Sequence, residues 1–247
     1  VRQYAEPRTG CFGALKDFRS TSGQPTSLVP VKAITLPGVE EYAAAHTTSD
    51  PEHLVEVAAE TRRLCELPQM MIGPVQARFL QFYLLALQPR AVLEIGTFTG
   101  YSSLSMAEVL PPGGHITTCE LSEENAAIAQ RHIDASAYAD RITIRVGPAL
   151  KTIESLSGPF DFVMLDADQA NFSEYLDPLL ERLSPNGVIA VDNVLWNGAV
   201  IDNCDGDPAT DGIHRFNKMV AARPDLVCVL LTIRDGILLI RRAEGRD

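Results

Sequence analysis

Long apolar runs are missing from the 247-residue chain. None approaches the roughly 18–20 consecutive apolar residues that span a bilayer. The N-terminus also lacks the charged-then-apolar pattern of a secretory signal. Both absences lead us to expect a soluble, cytoplasmic protein without a membrane partner. Basic residues are scarce, with 21 Lys and Arg against 32 Asp and Glu, a formal net charge of -11. Clustered cations neutralise a phosphate backbone, so nucleic acid is not the expected partner. The 5 cysteines, Cys11, Cys65, Cys119, Cys204 and Cys228, are odd in number and never at CxxC spacing. That argues against a zinc site and a disulfide framework. His46, His53, His115, His132 and His214 show no metal-ligand spacing either.

What is present suits one α/β domain with an added arm. Hydrophobic residues make up 46% and charged residues 21%, which is enough for an ordinary core without staples. Residues 1–37, with TSGQPTSLVP, read as an irregular N-terminal arm, and residues 38–247 as the domain. The sequence leaves open whether the arm is partly disordered, an expression remnant or a flap over a site. Asp50-Pro51 predicts a helix start, Asp50 being the cap. Leu54, Val57, Ala58, Thr61 and Leu64 then mark one helical face. Pro74 opens another helix through ARFLQFYLLAL, whose Phe79, Phe82 and Tyr83 suit core or subunit contact. From AVLEIG (91–96) onward, strands and helices alternate. The later strands are HITTCEL, RITIRVG, FDFVMLD and GVIAVDN. LVCVLLTI and GILLIRR flank Arg234-Asp235-Gly236 as a hairpin. The expected fold is a doubly wound α/β sheet of seven strands, mostly parallel, with an antiparallel C-terminal hairpin.

Ligands of such sheets bind beyond the carboxyl ends of the strands. After the first strand comes Glu94-Ile95-Gly96-Thr97-Phe98-Thr99-Gly100-Tyr101-Ser102. Its glycines permit close backbone approach, and a helix N-terminus follows. The spacing is GxxxG, not the dinucleotide GxGxxG. Glu120, after the second strand, can accept both ribose hydroxyls. Together these predict an adenosine-containing cofactor. A tight turn and an exposed loop carboxylate are the plainer alternatives. Asp166-Ala167-Asp168-Gln169 follows the fourth strand and Asp192-Asn193 the fifth. Asp166, Asp192 and Asn193 present hard oxygen donors to one point, a set suited to Mg²⁺, although strand-end carboxylates also serve as helix caps. Asp202, Asp205 and Asp207 form an acidic loop, read as solvated rather than as a second cation site.

These blocks, with QMMIGPVQARFL, VGPAL, VLWNG and DGILLIRR, resemble the cation-dependent O-methyltransferases, the group of the caffeoyl-CoA and catechol O-methyltransferases and their bacterial members, over roughly residues 39–242. The resemblance implies a Rossmann-like methyltransferase fold, S-adenosylmethionine as cofactor, a small aromatic diol as acceptor and a homodimer. It further implies Glu94, Gly96 with the adjoining Thr97, Ser102, Met70 and Ile72 at the methionine end. Glu120 would meet the ribose, Ala149 the adenine and Asp168 the ammonium group. Asp166, Asp192 and Asn193 would bind Mg²⁺ or another divalent ion such as Mn²⁺ or Ca²⁺, and Trp196 would wall the acceptor. Asp166 and Gln169 would be the catalytic pair, but Gln169 departs from the Lys that much of the family carries as general base. A carboxamide does not titrate. The metal alone could acidify the hydroxyl, with Gln169 as an orienting hydrogen-bond partner. Asp168, His46, Lys16 or Lys32 could serve instead, or the acceptor could be unusually acidic. An NAD-type oxidoreductase and a non-catalytic cofactor-binding protein are the alternatives.

Overall fold

The computed structural model describes residues 34–201 and 206–243. Most of the expected arm, with Lys16, Lys32 and Cys11, lies outside them, as do Asp202, Cys204 and Asp205. Helices α1 (Val39–Ala45), α2 (Glu52–Leu64) and α3 (Pro74–Leu87) precede the sheet. Strand β1 (Ala91–Ile95) leads into α4 (Tyr101–Ala107), and β2 (His115–Glu120) into α5 (Glu123–Ala135). Strand β3 (Ile142–Val146) is followed by α6 (Ala149–Ser155), and β4 (Phe160–Leu165) by α7 (Phe172–Glu181). Strand β5 (Leu183–Asp192), α8 (Pro208–Ala221), β6 (Leu226–Leu231) and β7 (Ile237–Arg242) complete the order.

The seven strands run β3-β2-β1-β4-β5-β7-β6. The first five in that row are parallel, while β7 is antiparallel to both β5 and β6. The expected class therefore holds, with one addition. The hairpin enters the sheet through its second strand, so its turn comes back to the carboxyl end of β5, where Asp192 pairs with Ile237.

Alternate residues of each central strand feed two cores, as expected of a strand buried on both faces. Val92, Phe162, Met164, Val188 and Ala190 face the core shared with α2, α3, α4 and α5. Leu93, Ile95, Val163, Leu165, Ile189 and Val191 face the one shared with α6, α7 and α8. The helices change sides between β1 and β4, which opens a crevice at the strand tips.

Local chemistry departs from the sequence reading in three places. Asp50 does not cap α2; Pro51 holds that position with no side-chain bond. Asp50 instead accepts from the Tyr101 hydroxyl at 2.6 Å, a tertiary contact that outweighs a local cap. Leu64 leaves the buried face of α2 at its last turn and is 43% exposed. Asp207 is the cap of α8, accepting from Thr210 N at 2.9 Å. The segment Pro68–Leu87 is long and apolar enough to cross a membrane by length and composition alone, contrary to the expectation that no such stretch exists. A short 3-10 turn over Pro68–Met70 interrupts it, and Gln76, Arg78 and Gln81 along α3 are all hydrogen-bonded within the domain.

Candidate active site

Asp166 follows β4 directly and Asp192 closes β5. Leu165 pairs with Val191 in register, so the two carboxylates stand side by side. Asp166 N donates to Ile95 O at 2.8 Å, tying this tip to β1. Gly96 makes that closeness possible. Its φ is +104°, and a Cβ there would sit 1.9 Å from the Asp166 carbonyl oxygen. On the far side, Gly212 of α8 abuts the turn at Gln169–Asn171, where a Cβ would lie 2.6 Å from the Gln169 carbonyl oxygen. Both ends of the Asp166–Gln169 segment are thus set by glycines that admit no side chain.

Asp192 is 3% exposed. Its Oδ2 accepts from Gln76 Nε2 at 2.6 Å and its Oδ1 from Asn193 N at 2.9 Å. Asp166 Oδ1 accepts from Asn193 Nδ2 at 2.9 Å. Burial pushes the Asp166 carboxyl well above the usual range, and the charges of Asp192 and Glu94 add to the rise. Burial raises Asp192 too, against the pull of its Gln76 and Asn193 bonds. Among the described residues, no Lys, Arg or His stands within ion-pair distance of either carboxylate. Nor do three His, Cys, Asp or Glu side chains among them group to hold a metal ion. The cluster offers two carboxylates and one carboxamide.

Around it lies a cavity of about 950 Å³. Of the residues singled out in the sequence, Met70, Gly96, Glu120 and Ala149 line one part, and Asp166, Asp168, Gln169, Asp192, Asn193 and Trp196 the rest. Glu120 is held open to it by two backbone donors: Phe98 N to Oε2 at 2.7 Å and Ser122 N to Oε1 at 2.9 Å. Asp168 caps the next turn, accepting from Ala170 N at 3.2 Å.

Glu94, Thr97, Ser102 and Ile72 are not in the cavity wall. Glu94 is fully buried beneath the glycine turn. Its Oε2 accepts from Thr118 at 2.6 Å and from Ser103, while Oε1 is buried without a hydrogen-bond partner. Burial raises its carboxyl, and the hydroxyls of Ser102, Ser103 and Thr118 oppose that rise. The Thr97 hydroxyl turns away to Thr118 at 2.6 Å, and its N–H donates to Cys119 O at 3.2 Å. Ile72 lines a second cavity of about 360 Å³ with Asp50 and Tyr101. His46, a possible base, packs on Tyr42 at the end of α1, its Nδ1 2.8 Å from Tyr42 O.

Several cavity residues carried no sequence signal. Arg234 and Asp235 were legible only as a turn and Asn197 not at all; nor was Gln76, which bonds Asp192 from outside the cavity wall. Insertion of β7 beside β5 brings that turn over the carboxylates. Among the described residues, Arg234 is the one Lys, Arg or His in the cavity wall. The backbone is also unusual there. Phe98, Asn193, Trp196, Asn197 and Arg234 all take left-handed φ values, between 47° and 60°, and all five line the cavity. Such costly conformations gather where a surrounding site imposes them.

Asp235 accepts from Asn197 N at 2.5 Å. Burial, with the Asp192 charge, pushes its carboxyl up to about 6. A raised carboxyl favours the folded state while protonated, and that contribution is lost as pH rises from about 4 through about 6. Asp235→Asn keeps an acceptor for Asn197 and is expected to stabilise the chain at pH 7.5. The gain is roughly 1 kcal/mol, or about 2–4 °C, since the half-buried position screens most of the nominal cost. Thermal melts from pH 4 to 8 should show the gain vanish at the acid end.

Residues 44–243 match the family described as O-methyltransferase. A catechol O-methyltransferase of Niastella koreensis is 35% identical over 179 residues, covering 70% of this chain and 81% of the relative. A caffeoyl-CoA O-methyltransferase of Eucalyptus gunnii is 35% identical over 180 residues, covering 68% and 72%. Among solved structures, the O-methyltransferase TomG of Streptomyces achromogenes, involved in tomaymycin synthesis and in complex with SAM, superposes with a TM-score of 0.77 at 31% identity, covering 84% of this chain and 96% of TomG.

Proposed function

This chain belongs to the O-methyltransferase family, as an S-adenosylmethionine-dependent enzyme of the catechol and caffeoyl-CoA class, and we propose that it methylates one hydroxyl of a small aromatic diol held by a divalent cation. The oxidoreductase alternative is set aside by the family match. One observation carries the cation: two neighbouring carboxylates, Asp166 and Asp192, are buried together, and burial disfavours the charge of both. Like charges in that position call for a proton or a cation between them. Asp166 and Asp192 would hold it, with Asn193 as third donor once its carboxamide makes a half-turn. Hard oxygen donors of this kind suit Mg²⁺, Mn²⁺ or Ca²⁺. A bound cation would orient both hydroxyls and lower the pKa of the reacting one.

The chain's own residues supply the rest. Glu120, already fixed by Phe98 N and Ser122 N, is placed to accept the ribose hydroxyls. Ala149 lies against the adenine. Gly96 and Thr97 would form the turn, and Met70 a wall, at the methionine end, while Glu94 and Ser102 support that turn from beneath and Ile72 from the side. Asp168 meets the ammonium group. Trp196 would wall the acceptor, whose reacting oxygen must lie in line with the sulfonium methyl at about 3 Å. Transfer would form a C–O bond and break the C–S bond, and the hydroxyl proton, made more acidic by the cation, would pass to solvent water. Gln169 cannot take it; it orients the hydroxyl by hydrogen bonding. We further propose a homodimer in the cytoplasm. Phe82 and Leu85, one turn apart on α3, are 75% and 51% exposed, and Val227 and Val229 leave an apolar face on edge strand β6. Such surface is more often covered than left bare.

The test is turnover on a set of catechol-bearing acids, with Mg²⁺ or with chelator, the product position assigned by mass spectrometry and NMR. A fall of at least about 100-fold in chelator is expected. Undiminished turnover there would overturn the cation, and none on any diol would favour a non-catalytic binder. In the same assay Gln169→Lys should turn over as fast as the parent or faster. Near-complete loss would mean that Gln169 does something a Lys cannot.

A further inference from the structure

The geometry points to Gln76 and Arg234 as positioning residues that orient Asp192 toward the cation, a role that rests on the cation proposed above. Gln76 projects from α3 and is 1% exposed. Its Nε2 donates to Asp192 Oδ2 at 2.6 Å. Its Oε1 accepts from Arg234 Nη1 at 3.3 Å, and the same Nη1 lies 3.4 Å from Met71 O. The order of the three groups has one polarity. A guanidinium only donates and a carboxylate only accepts. The carboxamide between them must therefore turn its oxygen to Arg234 and its nitrogen to Asp192, because a half-turn would set like against like at both ends.

This arrangement does what a direct Arg234–Asp192 ion pair could not. An ion pair would cover the carboxylate lone pairs with N–H groups and hold a positive charge where a cation has to sit. With a neutral amide interposed, the guanidinium stays off the carboxylate, and each Asp192 oxygen spends one lone pair on a fixed donor, Gln76 or Asn193 N. The remaining lone pairs stay on the cavity side. Arg234, φ 48°, lies inside the turn that Gly236 N closes on Ile233 O at 2.9 Å, which is what brings its side chain back toward Gln76.

Mn²⁺ binding followed by electron paramagnetic resonance, with S-adenosylhomocysteine present, tests this apart from turnover. Gln76→Met keeps the length and removes both polar atoms. Its Mn²⁺ affinity is expected to fall about 10–100-fold, the usual effect of losing a group that orients a metal ligand, while S-adenosylhomocysteine affinity holds within about twofold. Arg234→Met, in the hairpin turn, serves even if the core variant folds poorly. It is expected to weaken Mn²⁺ binding when Gln76 is present and to add nothing when combined with Gln76→Met. Affinity for Mn²⁺ within about twofold of the parent in Gln76→Met, or tighter binding in Arg234→Met as expected of a merely repelling charge, would overturn the positioning role while leaving the cation in place. A parent chain that takes up no Mn²⁺ would overturn both.

Discussion

Asp166→Asn should lose roughly 1,000-fold in kcat/KM and yet melt at a higher temperature than the parent in chelator. The loss follows from removing a carboxylate that a cation would need, and should exceed the 10–100-fold typical of its outer partners. The gain follows from the pair. Burial first, then the Asp192 and Glu94 charges, raise the Asp166 carboxyl. A raised carboxyl stabilises the fold only while it is protonated, so its contribution is present at acid pH and disappears as pH rises through the folded value. At pH 7.5 the wild-type pair is therefore a liability. Asparagine removes the charge and still offers an oxygen to Asn193 Nδ2, the donor to Asp166 Oδ1 at 2.9 Å. The melting gain should shrink toward pH 4. Added Mg²⁺ should raise the parent's melting temperature but not the variant's, because a ligand stabilises only the chain that binds it. Melting curves of both chains, with chelator and with Mg²⁺, read out both effects. A variant that melts lower at pH 7.5 in chelator would show that the buried pair is not strained.

Gly96→Ala acts on the fold instead of the charge. The new Cβ would enter the Asp166 carbonyl oxygen at 1.9 Å, in a backbone with φ +104° that L side chains rarely adopt. Neither partner can step aside cheaply. Asp166 N is bonded to Ile95 O at 2.8 Å, and Gly96 N donates to Cys119 O at 3.0 Å. Strain and lost bonding together are expected to cost more than about 4 kcal/mol, a fall in melting temperature of about 8–16 °C for a chain of this size. The expected result is a sharply less stable or insoluble chain. Gly113→Ala, where φ is also positive but no atom lies within 4 Å of the added Cβ, should cost much less and serves as the control in thermal melts. Equal losses in the two would mean that backbone conformation alone, not contact with Asp166, accounts for the effect.

The strands were readable because burial on both faces leaves a continuous apolar run ending at a polar or glycine tip. AVLEIG, FDFVMLD and GVIAVDN each carry that mark, and each tip is a wall of the cavity or lies beside it. The α5 start is local in its chemistry, with Ser122 accepting from Asn125 N at 3.2 Å as the cap and Glu123 and Glu124 in the first turn, although the sequence reading did not single it out. Asp50 looked just as local and was not, because Tyr101, 51 positions away, claims its carboxylate. Nothing in the chemistry of a single Asp tells which of two acceptable partners will reach it.

The sequence alone determined the alternation of elements, the glycine turn, the strand-end acids and the family to which they belong, since each rests on residues adjacent in the chain or on their ordered spacing. The tertiary structure decided what depends on pairing between residues tens of positions apart or more. It placed β7 between β5 and β6, folded Arg234 and Asp235 over the strand tips, and joined Gln76 to Asp192. Register and packing choose such partners, and no local preference of a glutamine or an arginine encodes them.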